Sequence, residues 1–323
     1  MEDTQESSSS KRPPYYQQEF TLEYLNRVID EKNIDKRVKD IVLKTNLLPN
    51  KVKISTLLKS ITFIDLTSLG GNDTKKTIEA LCLKAANPIE PKFILKESLT
   101  TAAVCVYPAR LLDAVDSLKK CDPGSKIRIA SVAAGFPSGQ YPLKTRLGEI
   151  HAAIEDGANE IDVVINRTLV IDKEWEALYD ELCSMRKACN MYKKKVCLKT
   201  ILATGELPTL QDVYNASMVA MMAGSDFIKT STGKETVNAT LPVGIVMCKA
   251  IMDYYNWTDR KVGFKPAGGI KTADQVLEWV VLMAEELGSE WQNQDLLRIG
   301  ASSVLDDILK RVNSLYDECI SEN

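Results

Sequence analysis

The sequence predicts an α/β fold, a (β/α)8 TIM barrel with an N-terminal helical extension, on three observations. Eight short apolar runs alternate with amphipathic helical stretches along most of the chain. Each run is brief and continuously apolar, as parallel strands covered on both faces should be. The length of 323 residues accommodates one such barrel, typically about 250 residues, plus an extension. The first strand also leads into Asp65-Leu-Thr-Ser-Leu-Gly-Gly-Asn. That is not the G-x-G-x-x-G turn of an open dinucleotide-binding sheet, so the closed barrel is the better fit.

Residues 1–20 are rich in Ser, Gln, Glu and Pro and are expected to form a disordered tail with little to bury. Residues 21–60 form the helical extension: Leu22, Leu25, Val28, Ile29, Val38, Ile41 and Val42 recur at helical spacing. Residues 61–318 form the catalytic barrel. Its strands are expected at 61–65, 102–107, 127–132, 160–165, 196–201, 227–230, 262–265 and 297–299. The helices that follow them are expected at 73–86, 110–119, 144–156, 174–187, 210–223, 241–255, 273–287 and 303–316. No internal repeat occurs.

Composition excludes several functions. An apolar fraction of 45% and a charged fraction of 26% are those of a soluble globular protein. The net charge of −3 is spread along the chain, leaving no footprint for nucleic acid. No apolar run reaches membrane-spanning length, and the polar N-terminus has no secretory core. The eight cysteines, with no C-x-x-C pair, are expected to be reduced thiols. His151 is the single histidine and lies in a helical pattern, so neither a His/Cys metal site nor a Ser-His-Asp hydrolase is expected. No metal or other cofactor is implied.

The most informative segment is Asp226-Phe-Ile-Lys-Thr-Ser-Thr-Gly-Lys234. Phe227 and Ile228 require burial, yet Lys229 follows at once. Desolvation disfavours the ammonium, and a neutral amine attacks carbonyl compounds to form Schiff bases. The alternative is a lysine that snorkels to solvent from a strand end. Active sites of these barrels lie at the C-terminal ends of the strands. There the sequence offers Asp65, Cys105, Asp162, Lys199, Lys229 and Lys265. Lys229 and Lys265 fall on neighbouring strands. Two ammoniums about 4 Å apart repel by on the order of 4 kcal/mol at an effective dielectric near 20, enough to favour one neutral lysine. Asp162 shares a strand face with Glu160 and Val164, so it should point inward and could accept or relay a proton. Asp65 is expected to be structural or to contact a substrate hydroxyl.

A second signal is anionic. Gly268 and Gly269 follow the seventh strand, and Gly300, Ser302 and Ser303 follow the eighth and open a helix. Loops there, with a helix N-terminus, form the usual phosphate site of these barrels. Thr232, Gly233 and Lys234 after the sixth strand could complete it. Thr-Gly-Lys-Glu lacks both the preceding glycine and the Ser/Thr of a Walker loop. A phosphorylated carbonyl substrate is therefore expected.

Together these runs resemble the deoxyribose-phosphate aldolase family. The resemblance is carried by Asp-Phe-Ile-Lys-Thr-Ser-Thr-Gly-Lys, Phe-Lys-Pro-Ala-Gly-Gly-Ile around Lys265 and Glu-Ile-Asp-Val-Val around Asp162. It is carried also by Ile64-Asp-Leu-Thr, Ala103-Val-Cys-Val-Tyr-Pro, Leu198-Lys-Thr-Ile-Leu-Ala-Thr-Gly-Glu-Leu and Arg298-Ile-Gly-Ala-Ser-Ser. It spans residues 63–308 and is greatest with the longer animal-type members. The resemblance implies a metal-independent class I aldolase that cleaves 2-deoxy-D-ribose 5-phosphate to acetaldehyde and D-glyceraldehyde 3-phosphate. It gives Lys229 the Schiff-base role and makes Asp162 and Lys265 the proton donor/acceptor pair. It assigns Thr232, Gly233, Lys234, Gly268, Gly269, Ser302 and Ser303 to the phosphate, and Cys105 to a non-catalytic position near the site. Asp65, Lys199 and Gly300 are grouped with the substrate-binding residues. Some bacterial members end in a terminal tyrosine that assists proton transfer, whereas this chain ends Cys319-Ile-Ser-Glu-Asn after Tyr316, so no such role is assigned. The expected partner is a small phosphosugar, with no nucleic acid or membrane and with homo-oligomerisation left open. The expected location is the cytoplasm, with nuclear presence allowed. The rivals are another Schiff-base phosphosugar aldolase, a transaldolase-like barrel, and a non-catalytic scaffold.

Overall fold

The computed structural model describes residues 17–89, 99–124 and 126–321. Two helices precede the sheet, α1 (Glu31–Asn46) and α2 (Asn50–Ile61). The barrel then runs β1 (Ile64–Thr67), α3 (Lys75–Ala86), β2 (Ala103–Val106), α4 (Leu111–Cys121), β3 (Arg128–Ala133), α5 (Leu143–Glu155) and β4 (Glu160–Val164). It continues with α6 (Arg167–Ile171), α7 (Trp175–Asn190), β5 (Cys197–Ile201), α8 (Leu210–Met222) and β6 (Phe227–Lys229). The last elements are α9 (Leu241–Thr258), β7 (Gly263–Lys265), α10 (Ala273–Leu287), β8 (Ile299–Ala301) and α11 (Val304–Ser321).

All strand pairs are parallel, in the order β7-β6-β5-β4-β3-β2-β1-β8. Parallel bridges from Phe264 to Leu297 and from Ala267 to Gly300 join the two ends, which closes the ring. Closure makes inward side chains converge, and the register decides which ones meet. Asp162 lies opposite Lys199, and Lys229 lies opposite Lys265.

Strand alternation sorts the residues into two environments. Ile161, Val163, Leu198, Ile228 and Phe264 point outward into the large apolar layer between sheet and helices. Each fully buried side chain of this kind stabilises by about 1.5–3 kcal/mol, so this layer carries the fold. Inside the barrel, Cys105, Ala130, Val132, Val164 and Ile201 form a small apolar cluster with Phe136. Charged side chains occupy much of the remaining interior, as described below.

Side-chain caps fix where several helices start. Thr74 and Thr272 form capping boxes on α3 and α10, and Asp30 and Thr209 cap α1 and α8. Each such cap contributes about 1 kcal/mol by satisfying an amide at the first turn.

Several expected boundaries shift. Ile61 ends α2 rather than starting the first strand, and β8 begins at Ile299 rather than at 297. The helical pattern from Leu22 is also broken: a 3-10 turn covers Leu22–Leu25, and Asp30 caps the next helix. Val28, counted among the apolar positions, is therefore left in the connection at 82% exposure. The short helix α6 was not anticipated. Pro49 separates α1 from α2, because the residue before a proline avoids the helical region.

Residues 1–16 of the serine-rich tail lie outside the described residues. Residues 17–20, assigned to the same tail, are instead held on the barrel. Gln18 donates its amide to the Met222 carbonyl, and Tyr179 donates to the Gln18 carbonyl. Helix α1 packs on α9 and α10, and α2 packs on α10 and α11. The extension thus thickens the outer layer and supplies no residue to the barrel mouth. Among the described residues, no helix is long and apolar enough to cross a membrane.

Candidate active site

Lys229 ends β6 and is 4% exposed. Its ammonium nitrogen lies 2.8 Å from Asp162 Oδ2, and that of Lys265, ending β7, lies 2.7 Å from the same oxygen. Lys199 Nζ lies 2.9 Å from Asp162 Oδ1. One carboxylate, projected inward from β4 as the strand alternation requires, therefore receives three lysines from β5, β6 and β7.

A second tier of charges lies below. Lys199 also contacts Glu160 Oε2 at 2.5 Å and Asp65 Oδ2 at 3.3 Å. Lys265 donates to Asp65 as well. Arg298, just before β8, contacts Asp65 Oδ1 at 2.6 Å and grips Glu160 at 2.8 and 3.1 Å. Sequence reasoning named neither Glu160 nor Arg298 as a site residue. The signal was available for Glu160, which shares a strand face with Asp162.

These partners separate the three lysines electrostatically. Burial pulls Lys229 below its ordinary pKa, against the upward pull of Asp162, and Lys265 adds to the lowering. For Lys265, burial is outweighed by Asp162 and Asp65, and the pKa rises. Lys199, with Asp162, Asp65 and Glu160 around it, is raised well above the ordinary value despite burial. Burial would raise Asp162, but Lys199, Lys229 and Lys265 hold it well below the usual carboxylate range. The sequence pointed to desolvation and to repulsion from Lys265; in the structure both lower Lys229, burial first and Lys265 in addition. Asp162 separates the two ammoniums, so their direct repulsion is partly cancelled.

Above this cluster opens a cavity of about 460 Å³ with Lys229 among its walls. Thr232, Gly233, Lys234, Gly268, Gly269, Gly300, Ser302 and Ser303 line it. Ser68, Leu69 and Gly70 after β1, and Lys271, also line it and were missed by sequence reasoning. The loop after β1 carries Gly70, Gly71 and Asp73, a pattern that an ordinary turn also shows.

Gly268 and Gly269 have φ of +81° and +77°, a left-handed backbone that L side chains disfavour. Among the described residues, nothing accepts from the amides of Gly268, Gly269, Ser302 or Ser303. The two serines stand at the start of α11, where the helix dipole favours an anion. The turn after β6 is organised differently. The Thr232 amide donates to both Glu235 carboxylate oxygens at 2.9 and 3.1 Å, and the Gly233 amide to one at 3.1 Å. These two amides are thus committed within the loop. The turn offers the mouth Lys234, whose Nζ also donates to the Leu69 carbonyl at 2.9 Å.

Three residues grouped with substrate binding do not reach this mouth. Asp65 and Lys199 are fully buried in the second tier, where ion pairs occupy them. Cys105 is fully buried in the inner apolar cluster, where it borders Asp162 and the three lysines, near the site as the resemblance implies, and burial raises its thiol pKa. His151 lies on α5 with Nδ1 2.9 Å from the Tyr192 hydroxyl, away from the mouth.

Fold and site together define a barrel suited to amine chemistry on an anionic carbonyl compound. Residues 59–310 match the sequence profile of the DeoC/LacD family aldolases. The chain belongs to that family. It is 54% identical over 300 residues to the deoxyribose-phosphate aldolase of Mus musculus, covering 91% of this chain and 92% of that protein. It is 60% identical over 261 residues to the deoxyribose-phosphate aldolase of Homo sapiens, covering 79% and 80%. Among solved structures, a candidate deoxyribose-phosphate aldolase from Coccidioides immitis superposes with a TM-score of 0.62 at 26% identity, covering 86% of this chain and 97% of that one. One from Toxoplasma gondii superposes at 0.68 and 23% identity, covering 83% and 97%, and bears on the fold alone.

Proposed function

We propose that the chain is a class I lyase that reversibly cleaves 2-deoxy-D-ribose 5-phosphate to acetaldehyde and D-glyceraldehyde 3-phosphate. The observation that carries this is Lys229: a buried lysine with a lowered pKa, beneath a mouth whose free amides and lysines suit a phosphate. Family membership and the two mammalian relatives support the same substrate.

In this reaction neutral Lys229 attacks C1 of the open-chain sugar, and loss of water gives an iminium. Ionised Asp162, acting through a water, takes the C3 hydroxyl proton. The C3 oxygen becomes the carbonyl of glyceraldehyde 3-phosphate, the C2–C3 bond breaks, and its electrons pass into the iminium as an enamine. Protonation at C2 restores an iminium. Hydrolysis frees acetaldehyde and returns the amine. Lys265 stays charged through its two carboxylates and holds Asp162 ionised and in place. The phosphate, held by Gly268, Gly269, Ser302, Ser303 and Lys234, sets C1 against Lys229. Product analysis tests the assignment: acetaldehyde and glyceraldehyde 3-phosphate support it, and a dihydroxyacetone product overturns it.

Two variants probe the parts separately. Gly268→Ala forces a left-handed alanine and puts a Cβ 2.3 Å from Asn238 Oδ1. It should raise KM for the phosphosugar by about tenfold or more while changing kcat little, as expected when a positioning contact is lost. Lys265→Leu removes a cation that opposes charge on Lys229. The acid limb of kcat/KM should move to higher pH by about one unit. An unmoved limb would count against that role. A cytoplasmic location belongs to the same proposal and is checked by cell fractionation, while light scattering decides whether the chain self-associates.

A further inference from the structure

The buried cluster contains three carboxylates, Asp65, Glu160 and Asp162, and four cations, Lys199, Lys229, Lys265 and Arg298. Every one is at most 4% exposed. The charges cancel if one cation is neutral, and a protonated Lys229 leaves a net positive charge among buried groups, which is costly. Lys199, Lys265 and Arg298 each touch two or three of the carboxylates. Lys229 touches one, through an oxygen it shares with Lys265. It is therefore the cation with least to lose by giving up its proton.

We infer that Arg298 and Glu160, at the end of the barrel opposite the mouth, are positioning residues that set the charge of Lys229 through the charge count of this cluster. Neither reaches the cavity that Lys229 lines. Their guanidinium–carboxylate pair is two-pronged and seated over the Phe227 ring, with the Arg298 carbon 5.6 Å from its centroid. The inference rests on Lys229 being the reacting amine.

The charged and titratable groups facing the cluster are accounted for strand by strand. β1 gives Asp65, β2 the neutral thiol of Cys105, β4 Glu160 and Asp162, β5 Lys199 and the thiol of Cys197, kept neutral by burial, and β7 Lys265. Asp226, Lys195 and Lys261 line the same lower cavity as Glu160 and Arg298; Asp226 is paired with Arg186 and Arg260, and Lys261 with Glu290. β3 gives Arg128, whose Nε is 3.4 Å from Glu160 but which is half-exposed and paired with Asp295 at 3.0 Å. That outer pair cancels at the rim. β8 contributes no charged side chain within its bounds, leaving Arg298 beside it.

The experiment compares the acid limb of kcat/KM in three variants, since that limb reports the free enzyme. Arg298→Met removes a cation, so the limb should move to higher pH; Glu160→Gln removes an anion, so it should move to lower pH. A lone charge about 10 Å away at an effective dielectric near 20 shifts a titration by on the order of one pH unit. The double variant Glu160→Gln/Arg298→Met removes one charge of each sign, and its limb should return to that of the wild type. If Arg298→Met does not fold, Glu160→Gln and the double variant still decide the matter. A merely structural role predicts lower kcat in all three with the limb unmoved. That outcome, or a double variant displaced as far as a single one, overturns the inference. Borohydride trapping on wild-type Lys229 is run alongside. Its failure would sink the assignment of the reacting amine, whereas trapping with an unresponsive limb sinks only the role of Arg298 and Glu160.

Discussion

Lys229→Ala should lose on the order of 10⁴-fold or more in kcat, the scale seen when an enzyme loses its nucleophile. Stability should change in the other direction. The unfolded lysine keeps a pKa near 10.4, while burial lowers that of the folded one. The folded state then binds fewer protons, so this group opposes folding at neutral pH and its penalty fades as pH rises toward the unfolded value. Lys229→Met, which fills the site without a charge, should therefore melt a few degrees higher than the wild type at pH 7, and the gap should narrow at alkaline pH. Circular dichroism melts across pH check this. A Lys229→Met variant that melts well below the wild type would mean that Lys229 is a protonated structural ion-pair partner.

Asp162→Asn should be the most damaging change to the cluster. Three lysines lose their common carboxylate at once, and removing one partner of a buried pair costs about 3–5 kcal/mol. Loss of a positioned base should separately lower turnover by about 10²–10⁴-fold. The two steps of the reaction should respond differently. With one anion gone, Asp65 and Glu160 face Lys199, Lys265 and Arg298, so the charge count pushes Lys229 further toward the neutral amine. Borohydride should still trap an adduct while release of glyceraldehyde 3-phosphate stalls. Equal loss of trapping and cleavage would show that Asp162 is needed as much for forming the Schiff base as for breaking the carbon–carbon bond.

Much of this was legible in the sequence, and the limits have physical causes. Short apolar runs and helical spacing identify strands and helices because each follows a local period. Lys229 and Lys265 could be placed side by side because strands six and seven must be neighbours in a barrel. What lay beyond reach depends on closure. Arg298 read as the start of an anion-loop motif, and only the ring brings its side chain onto Asp65 of β1 and Glu160 of β4. Lys199 read as a substrate ligand because it sits on the right strand, but its side chain turns into the second tier. The Thr232–Gly233–Lys234 turn read as completing the phosphate cradle, and nothing local showed that Glu235 takes the Thr232 and Gly233 amides for itself. Val28 illustrates the same limit: its spacing fitted a helix, but Asp30 starts that helix two residues later.

The most direct test of a neutral, reactive Lys229 is reduction by borohydride in the presence of 2-deoxy-D-ribose 5-phosphate, followed by peptide mass mapping. A single reduced adduct on Lys229, absent without substrate and absent in Lys229→Ala, is the predicted result. An adduct on Lys265 or Lys199, or none in an enzyme that still turns over, would contradict it.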